Sequence, residues 1–363
     1  MPMGGRNGMV TKRNSPRFVL EASKLSANLA HFSALAQETG ILWLYTLKAF
    51  DEAQGVDIIM ETFDGYSLGN LTENDKVQGY SRKHQHTYAP AYHPSEVLPL
   101  AKQSDTMSFN SLHQWQQYRT MCESQTSLGL RINPHLKLDQ PSYCDSNAGR
   151  LGVGYEAFLE ALREDASAFE SLEGLHFHAL CHQDADALTK LLMHIRSHYQ
   201  EILPRLKWLN LGGGQNFTHE GYDSQAFISE IRDFSQAYPH LTLYLEPGAA
   251  VVHETGYFET TILDIIPASP PIVIIDSSIE THLLDIAITK EKPVIRGTTT
   301  DSSSYAYEIT GMSCIAGDVI GRYAFSEELS IGKKIILENM IGYTLVKQTT
   351  FNGISKAGFD LEV

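Results

Sequence analysis

The chain has 363 residues, of which 42% are hydrophobic and 20% charged. This is the composition of a soluble globular protein with room for one large barrel plus a smaller domain, or for two mid-sized domains. A formal net charge of −15 argues against nucleic acid and anionic membranes as partners, since both need clustered Lys and Arg; it would suit a cationic substrate. No apolar stretch approaches a membrane span, and the opening MPMGGRNGMVTKRNSPRF has basic residues without the apolar core of a signal peptide. A cytoplasmic protein with a loose N-terminal arm is expected. The cysteines Cys122, Cys144, Cys181 and Cys314 form no CxxC pair and no disulfide-like spacing, so reduced thiols are expected.

In chain order, PRFVLEA near the N-terminus reads as a short strand, and SKLSANLAHFSALAQETG as a helix. Leu25, Leu29, Phe32 and Leu35 or Ala36 share one face of that helix, and Gly40 closes it. Short β-like runs then alternate with helix-compatible spacers: ILWLYTLK (41–48), DGYSLG (64–69), HTYAPAY (86–92), TMSFNS (106–111), LGLRINP (128–134), LEGLHFHAL (172–180), KWLNLGGG (207–214) and LTLYLEPG (241–248). Eight such runs have the period of a (β/α)8 barrel, with a doubly wound open sheet as the competing arrangement. After about residue 250 the runs VVHETGYFETTILDII, PPIVIID, KPVIRGTTT, KKIILENM and YTLVKQTTF read as strands without long helices between them. The expected organisation is a barrel over residues 20–255 and a C-terminal β domain over 256–363, joined by an N-terminal strand at 16–22.

Barrel active sites lie at the C-terminal ends of the strands. The residues collected there are Lys48, Asp64, Arg131, His176, His178, Gly212, Gly213, Gly214 and Glu246. A lysine closing an apolar run ordinarily snorkels to water. The triple glycine lets backbone N–H groups approach an anion closely, although it also makes an ordinary tight turn. His176 and His178 share one face of a strand, with Cys181 and His182 following, which admits a zinc site. Against a metal, the other strand ends carry Lys48, Arg131 and Glu246 rather than further ligands, and no metal is expected. A buried lysine, a phosphate turn, a flat imidazole and a carboxylate together fit pyridoxal 5′-phosphate. The lysine would attach the cofactor, the turn would hold its phosphate, one histidine would stack on the ring, and the carboxylate would keep the pyridine nitrogen protonated.

TLKAF, HTYAPAYHPSEV, SFNSLHQW, LRINP, GRLGV, GLHFHALC, LNLGGG, LEPG, CIAGDVIG and YTLVKQTTFNGI, in this order from about residue 17 to the C-terminus, resemble the carboxynorspermidine/carboxyspermidine decarboxylases. These are a branch of the alanine-racemase-like, ornithine-decarboxylase-like pyridoxal phosphate enzymes. The resemblance implies that Lys48 carries the cofactor, His178 stacks on its ring, Gly212 to Gly214 and the hydroxyl of Tyr343 hold the phosphate, and Glu246 partners the pyridine nitrogen. It implies that Asp64 and Arg131 orient lysine and carboxylate, that Cys314 reprotonates the α-carbon, and that Cys314 and Asp318 come from the second subunit of a homodimer.

Where the family usually has two histidines after the triple glycine, this chain has Gln215 and Asn216; where it usually keeps an acid, CIAGDVIGRY has Arg322. The stretch DSSIETHLLDI, with candidate substrate contacts Asp276, Glu280 and His282, also departs from the family pattern. The resemblance therefore implies decarboxylation of a 3-amino-3-carboxypropyl group on carboxynorspermidine or carboxyspermidine, a small-molecule amino-acid-type substrate. Arg322 raises the alternative of the same head group on an anionic carrier, such as a microcin C-type peptidyl nucleotide. A racemase, a metal-dependent barrel hydrolase and a non-catalytic pyridoxal phosphate carrier are the other competing readings.

Overall fold

The computed structural model describes residues 15–79, 83–138, 149–301 and 304–363. The expected N-terminal arm and Cys144 lie outside the described residues. The chain divides into two units, Ser23–His253 and a second formed by Glu254–Val363 with the segment up to Ala22.

Strand β1 (Arg17–Glu21) belongs to the second unit. The first unit contains β2 (Leu42–Thr46), β3 (Gly65–Leu68), β4 (His84–Tyr88), β5 (Thr106–Phe109), β6 (Ser127–Asn133), the two-residue β7 (Val153–Gly154), β8 (Gly174–Phe177), β9 (Trp208–Asn210) and β10 (Thr242–Leu245). Eight of these close into a parallel barrel in the order β5-β4-β3-β2-β10-β9-β8-β6, with β6 returning to β5 and β7 beside β6. Every one of the eight expected runs supplies a barrel strand, and closure excludes the open sheet. Parallel strands covered by helices are buried on both faces, which is why these runs read as nearly continuous apolar stretches.

The helix Ala22–Thr39 buries Leu25, Leu29, Phe32 and Leu35 and ends before Gly40, whose φ of 69° is left-handed. Phe32 meets Trp43 edge-on at 5.2 Å and Phe217 at 5.5 Å, and the Trp43 indole N–H donates to the Phe32 carbonyl at 3.0 Å. Inside the barrel, strand register stacks the side chains in layers. Gly129, Gly174 and Trp208 share one row, and Arg131, His176 and Asn210 share the next toward the C-terminal end. Gly174 is dictated by the indole of Trp208, which a Cβ would meet at 2.0 Å. Trp208, with Leu44 and Tyr244, thereby forms an apolar floor beneath the polar row.

In the second unit, β11 (Gly256–Ile266), β12 (Ile272–Ile275), β13 (Tyr305–Thr310), β14 (Val319–Phe325), β15 (Lys334–Glu338) and β16 (Gly358–Glu362) form one sheet with β1, ordered β14-β13-β12-β11-β1-β16, with β15 also on β11. Two expected strands are corrected. KPVIRGTTT contributes only isolated bridges at Ile295 and Thr298, and YTLVKQTTF opens with a short helix, Tyr343–Val346. No helix among the described residues is long and apolar enough to cross a membrane.

Candidate active site

The site is built at the C-terminal ends of the barrel strands. After β9 the chain turns through Gly212 and Gly214, whose φ values are 72° and 93°, a conformation that costs glycine nothing. All three glycines are also fixed by contact: a Cβ would come within 2.3 Å of the Phe177 carbonyl at Gly212, 1.9 Å of the Glu246 carbonyl at Gly213, and 2.7 Å of Cys181 Cα at Gly214. The turn is locked to its neighbours, with Gly212 N–H donating to Asn210 Oδ1 at 2.9 Å, Gly213 N–H to His178 Nδ1 at 3.2 Å, and Glu246 N–H to the Gly212 carbonyl at 2.7 Å.

Accepting at Nδ1 places the His178 proton on Nε2, which lies 3.4 Å from Cys181 Sγ. Burial pushes the His178 imidazole well below its ordinary value, and the charges of Arg131 and Lys48 push it further, so the ring is neutral. Arg131, in β6 and 5% exposed, stands 4.7 Å from the centre of the Tyr88 ring and reaches the His178 carbonyl at 3.4 Å.

Glu246 follows β10 and is 5% exposed. Its Oε1 accepts from Asn210 Nδ2 at 2.7 Å. Its Oε2 lies 3.4 Å from His176 Nε2, and His86 Nε2 stands 3.7 Å from Oε1. Burial alone would raise this carboxyl, yet His176, His86 and His178 outweigh it and hold the group well below the usual carboxylate range. Burial pushes His86 down to about 3 and lowers His176 as well. The arrangement is therefore a buried carboxylate beside the neutral imidazoles of His176 and His86, which act through their N–H dipoles. His86, His176 and Glu246 are also close enough together to hold a metal ion.

Of the expected site residues, the barrel brings Arg131, His178, Gly212, Gly213, Gly214 and Glu246 together. Lys48 lies on the helical turn Leu47–Ala49 after β2 and is exposed, with Leu47 and Ala49 buried on either side; the expectation of a buried ammonium is corrected. Asp64 is corrected too. It precedes β3, at the opposite end of the strands, where its Oδ2 accepts from Trp43 N at 2.8 Å. It stands at the start of its apolar run rather than after it. Among the described residues Cys122 and Cys314 are free, while the expectation of a reduced thiol is corrected at Cys181, which is disulfide-bonded.

In the second unit, Tyr343 begins its short helix and Cys314 is exposed, its N–H donating to Asn352 Oδ1 at 3.0 Å. Asp318 is buried, with Oδ1 accepting from Ile279 N at 2.9 Å and Oδ2 from Ser313 N at 3.0 Å. His282 is fully buried, Nδ1 accepting from Ser278 N at 3.1 Å and Nε2 lying 2.9 Å from the Ser355 carbonyl. Both side chains hold loops together. Asp276 accepts from Thr260 Oγ1 at 2.6 Å, and Glu280 from Ser278 Oγ at 3.0 Å. Arg322 pairs across β13 and β14 with Glu308 at 2.8 Å and is 72% exposed. Its charge is matched locally, so the motive for an anionic carrier falls.

Sequence reasoning missed His86, Tyr88 and Asn210. All three are strand residues, whereas candidates were collected mainly from strand ends; the available signal was a polar side chain inside an otherwise buried strand.

No family model matches the chain. A carboxynorspermidine/carboxyspermidine decarboxylase from Campylobacter jejuni is 35% identical over 360 residues, covering 94% of this chain and 91% of the relative. A carboxyaminopropylagmatine decarboxylase from Synechocystis is 36% identical, covering 96% and 90%. The crystal structure of carboxynorspermidine decarboxylase from Campylobacter jejuni complexed with norspermidine superposes with a TM-score of 0.88 at 33% identity, covering 96% of this chain and 94% of that one.

Proposed function

Because the chain belongs to the carboxynorspermidine/carboxyspermidine decarboxylase family, we propose that it removes the α-carboxylate from carboxynorspermidine or carboxyspermidine with pyridoxal phosphate as cofactor. The observation that carries the reading is the convergence of Arg131, His178, the triple-glycine turn and a buried, anionic Glu246 on one end of one barrel. These residues fit the cofactor: the glycine turn follows a barrel strand at the end where the other candidates converge, and the buried carboxylate matches a ring nitrogen that must keep its proton.

The bound cofactor supplies the electron sink that stabilises the carbanion left when CO2 departs. The protein's residues do the rest. Lys48, exposed on the turn after β2, would carry the cofactor covalently through its amine. The Gly212–Gly214 turn would seat the phosphate with Gly214 N–H as its donor, since the Gly212 and Gly213 N–H groups are engaged by Asn210 and His178. The neutral His178 ring would pack against the cofactor, Glu246 would keep its ring nitrogen protonated, and Arg131 would hold His178 and Tyr88 in place. We further propose a cytoplasmic homodimer in which Cys314 returns a proton to the α-carbon. The net charge of −15 favours a polyamine-like, cationic substrate by long-range attraction.

The test is mass spectrometry of the pyridoxal-phosphate-loaded protein with carboxynorspermidine, carboxyspermidine and carboxyaminopropylagmatine. Loss of CO2 fastest from either of the first two is the expected result. Inertness toward both, with the cofactor bound, would refute the substrate assignment.

A further inference from the structure

We propose that His176, backed by His86, is a positioning residue that holds the Glu246 carboxylate anionic and aimed at the cofactor's ring nitrogen. The inference rests on the reading of Glu246 as the partner of that nitrogen.

His176 is completely buried in the barrel interior, and neither of its ring nitrogens has a hydrogen-bond partner of good geometry. An imidazole fully buried without a well-formed hydrogen bond is unfavourable; a leucine at this position would avoid that cost. The structure shows what constrains it. Its ring is gripped edge-on by His86 and Tyr88, with centroids 5.2 Å away in both cases and interplanar angles of 82° and 80°. Nε2 faces Glu246 Oε2 at 3.4 Å. At this distance His176 is one of the groups that hold the Glu246 carboxyl low.

His86 is fixed from the other side, Nδ1 lying 2.8 Å from Thr106 Oγ1 and Nε2 3.4 Å from Ser108 Oγ, so it cannot turn away. Asn210 holds Oε1, leaving His176 as the group that sets Oε2. The ionisable groups acting on the cluster include His84, His86 and Tyr88 from β4, Arg131 from β6, His176 and His178 from and after β8, and Lys48 after β2. Arg131 and Lys48 oppose protonation of His176. Both imidazoles therefore remain neutral N–H donors while Glu246 carries the charge.

The test compares His176→Phe, which keeps a flat ring without donors, with His176→Gln, which restores an N–H. Apo-protein is titrated with pyridoxal phosphate, and the pH dependence of the bound cofactor's absorbance and of kcat is recorded. His176→Phe should weaken cofactor binding by about tenfold or more, the scale of one lost hydrogen bond to a charged group. Without the donor the Glu246 pKa rises, so the acid limb of both pH profiles moves to higher pH. His176→Gln should restore the limb; a purely structural role would change the melting temperature and leave the limb in place. Should His176→Phe fail to fold, His86→Leu provides the same limb measurement in the same direction. Unchanged profiles in these variants alongside a collapsed Glu246→Ala would overturn the proposal alone. An unaffected Glu246→Ala would overturn the reading of Glu246 itself. Stoichiometric zinc bound by apo-protein and lost in His176→Phe would assign the cluster to a metal and also overturn the proposal.

Discussion

Gly213→Ala is the sharpest steric test of the cofactor turn. The added methyl would stand 1.9 Å from the Glu246 carbonyl oxygen and 2.7 Å from its carbon. Carbon–oxygen contacts settle at about 3.3 Å, so the turn and the end of β10 must separate by about 1.4 Å from the 1.9 Å approach. Neither side yields easily, because the Glu246 carbonyl accepts from Thr46 Oγ1 at 2.9 Å and Glu246 N–H donates to Gly212. Overpacking of this kind costs roughly 1–3 kcal/mol of stability, and misplacing a positioning group by about 1 Å costs on the order of 100-fold. The assay is pyridoxal phosphate titration of apo-protein by absorbance, with circular dichroism to confirm the fold. Kd should rise by about 100-fold. Gly79→Ala is the control, since nothing lies within 4 Å of its Cβ, and its Kd should match the unsubstituted protein. A wild-type Kd in folded Gly213→Ala would refute the assignment of this turn to the phosphate.

Asn210→Leu strips partners from Glu246 Oε1 and Gly212 N–H together; at about 1–3 kcal/mol per unsatisfied buried group, urea denaturation should show a loss of several kcal/mol, with weaker cofactor binding. Asp64→Ala should lower the denaturation midpoint by the equivalent of about 1 kcal/mol and leave kcat and KM unchanged, because its carboxylate serves Trp43 N. Arg322→Ala should change stability by less than about 1 kcal/mol, given its exposed pairing with Glu308, and should leave KM for carboxynorspermidine within twofold or so. Cys314→Ser, at an exposed free thiol, should keep the melting temperature and lower the rate of amine product formation by about 100-fold, measured by mass spectrometry.

The barrel was legible because its strands are short, apolar and separated by helix-length spacers, a pattern that parallel topology imposes directly. The second unit was less so. β13 (YAYEIT) and β14 (VIGRYAF) alternate buried and exposed positions and mix polar residues into the run, while YTLV is apolar enough to pass for a strand and is a single helical turn. Among site residues, Glu246 and the triple glycine announced themselves by type and place at a strand end. His86 and Asn210 did not, because their importance lies in what they face across the barrel, and register around a closed sheet is set by the fold as a whole. Asp64 misled for a simpler reason: it opens its run just before β3 (Gly65–Leu68), and a residue before a barrel strand lies at the opposite end from one after it.

The most direct test of the account is borohydride reduction of the pyridoxal-phosphate-loaded protein, followed by peptide mapping. The cofactor should be found on the peptide carrying Lys48 and absent from it when carboxynorspermidine is added in excess before reduction. A label on another lysine, or none on a protein that decarboxylates, would contradict it.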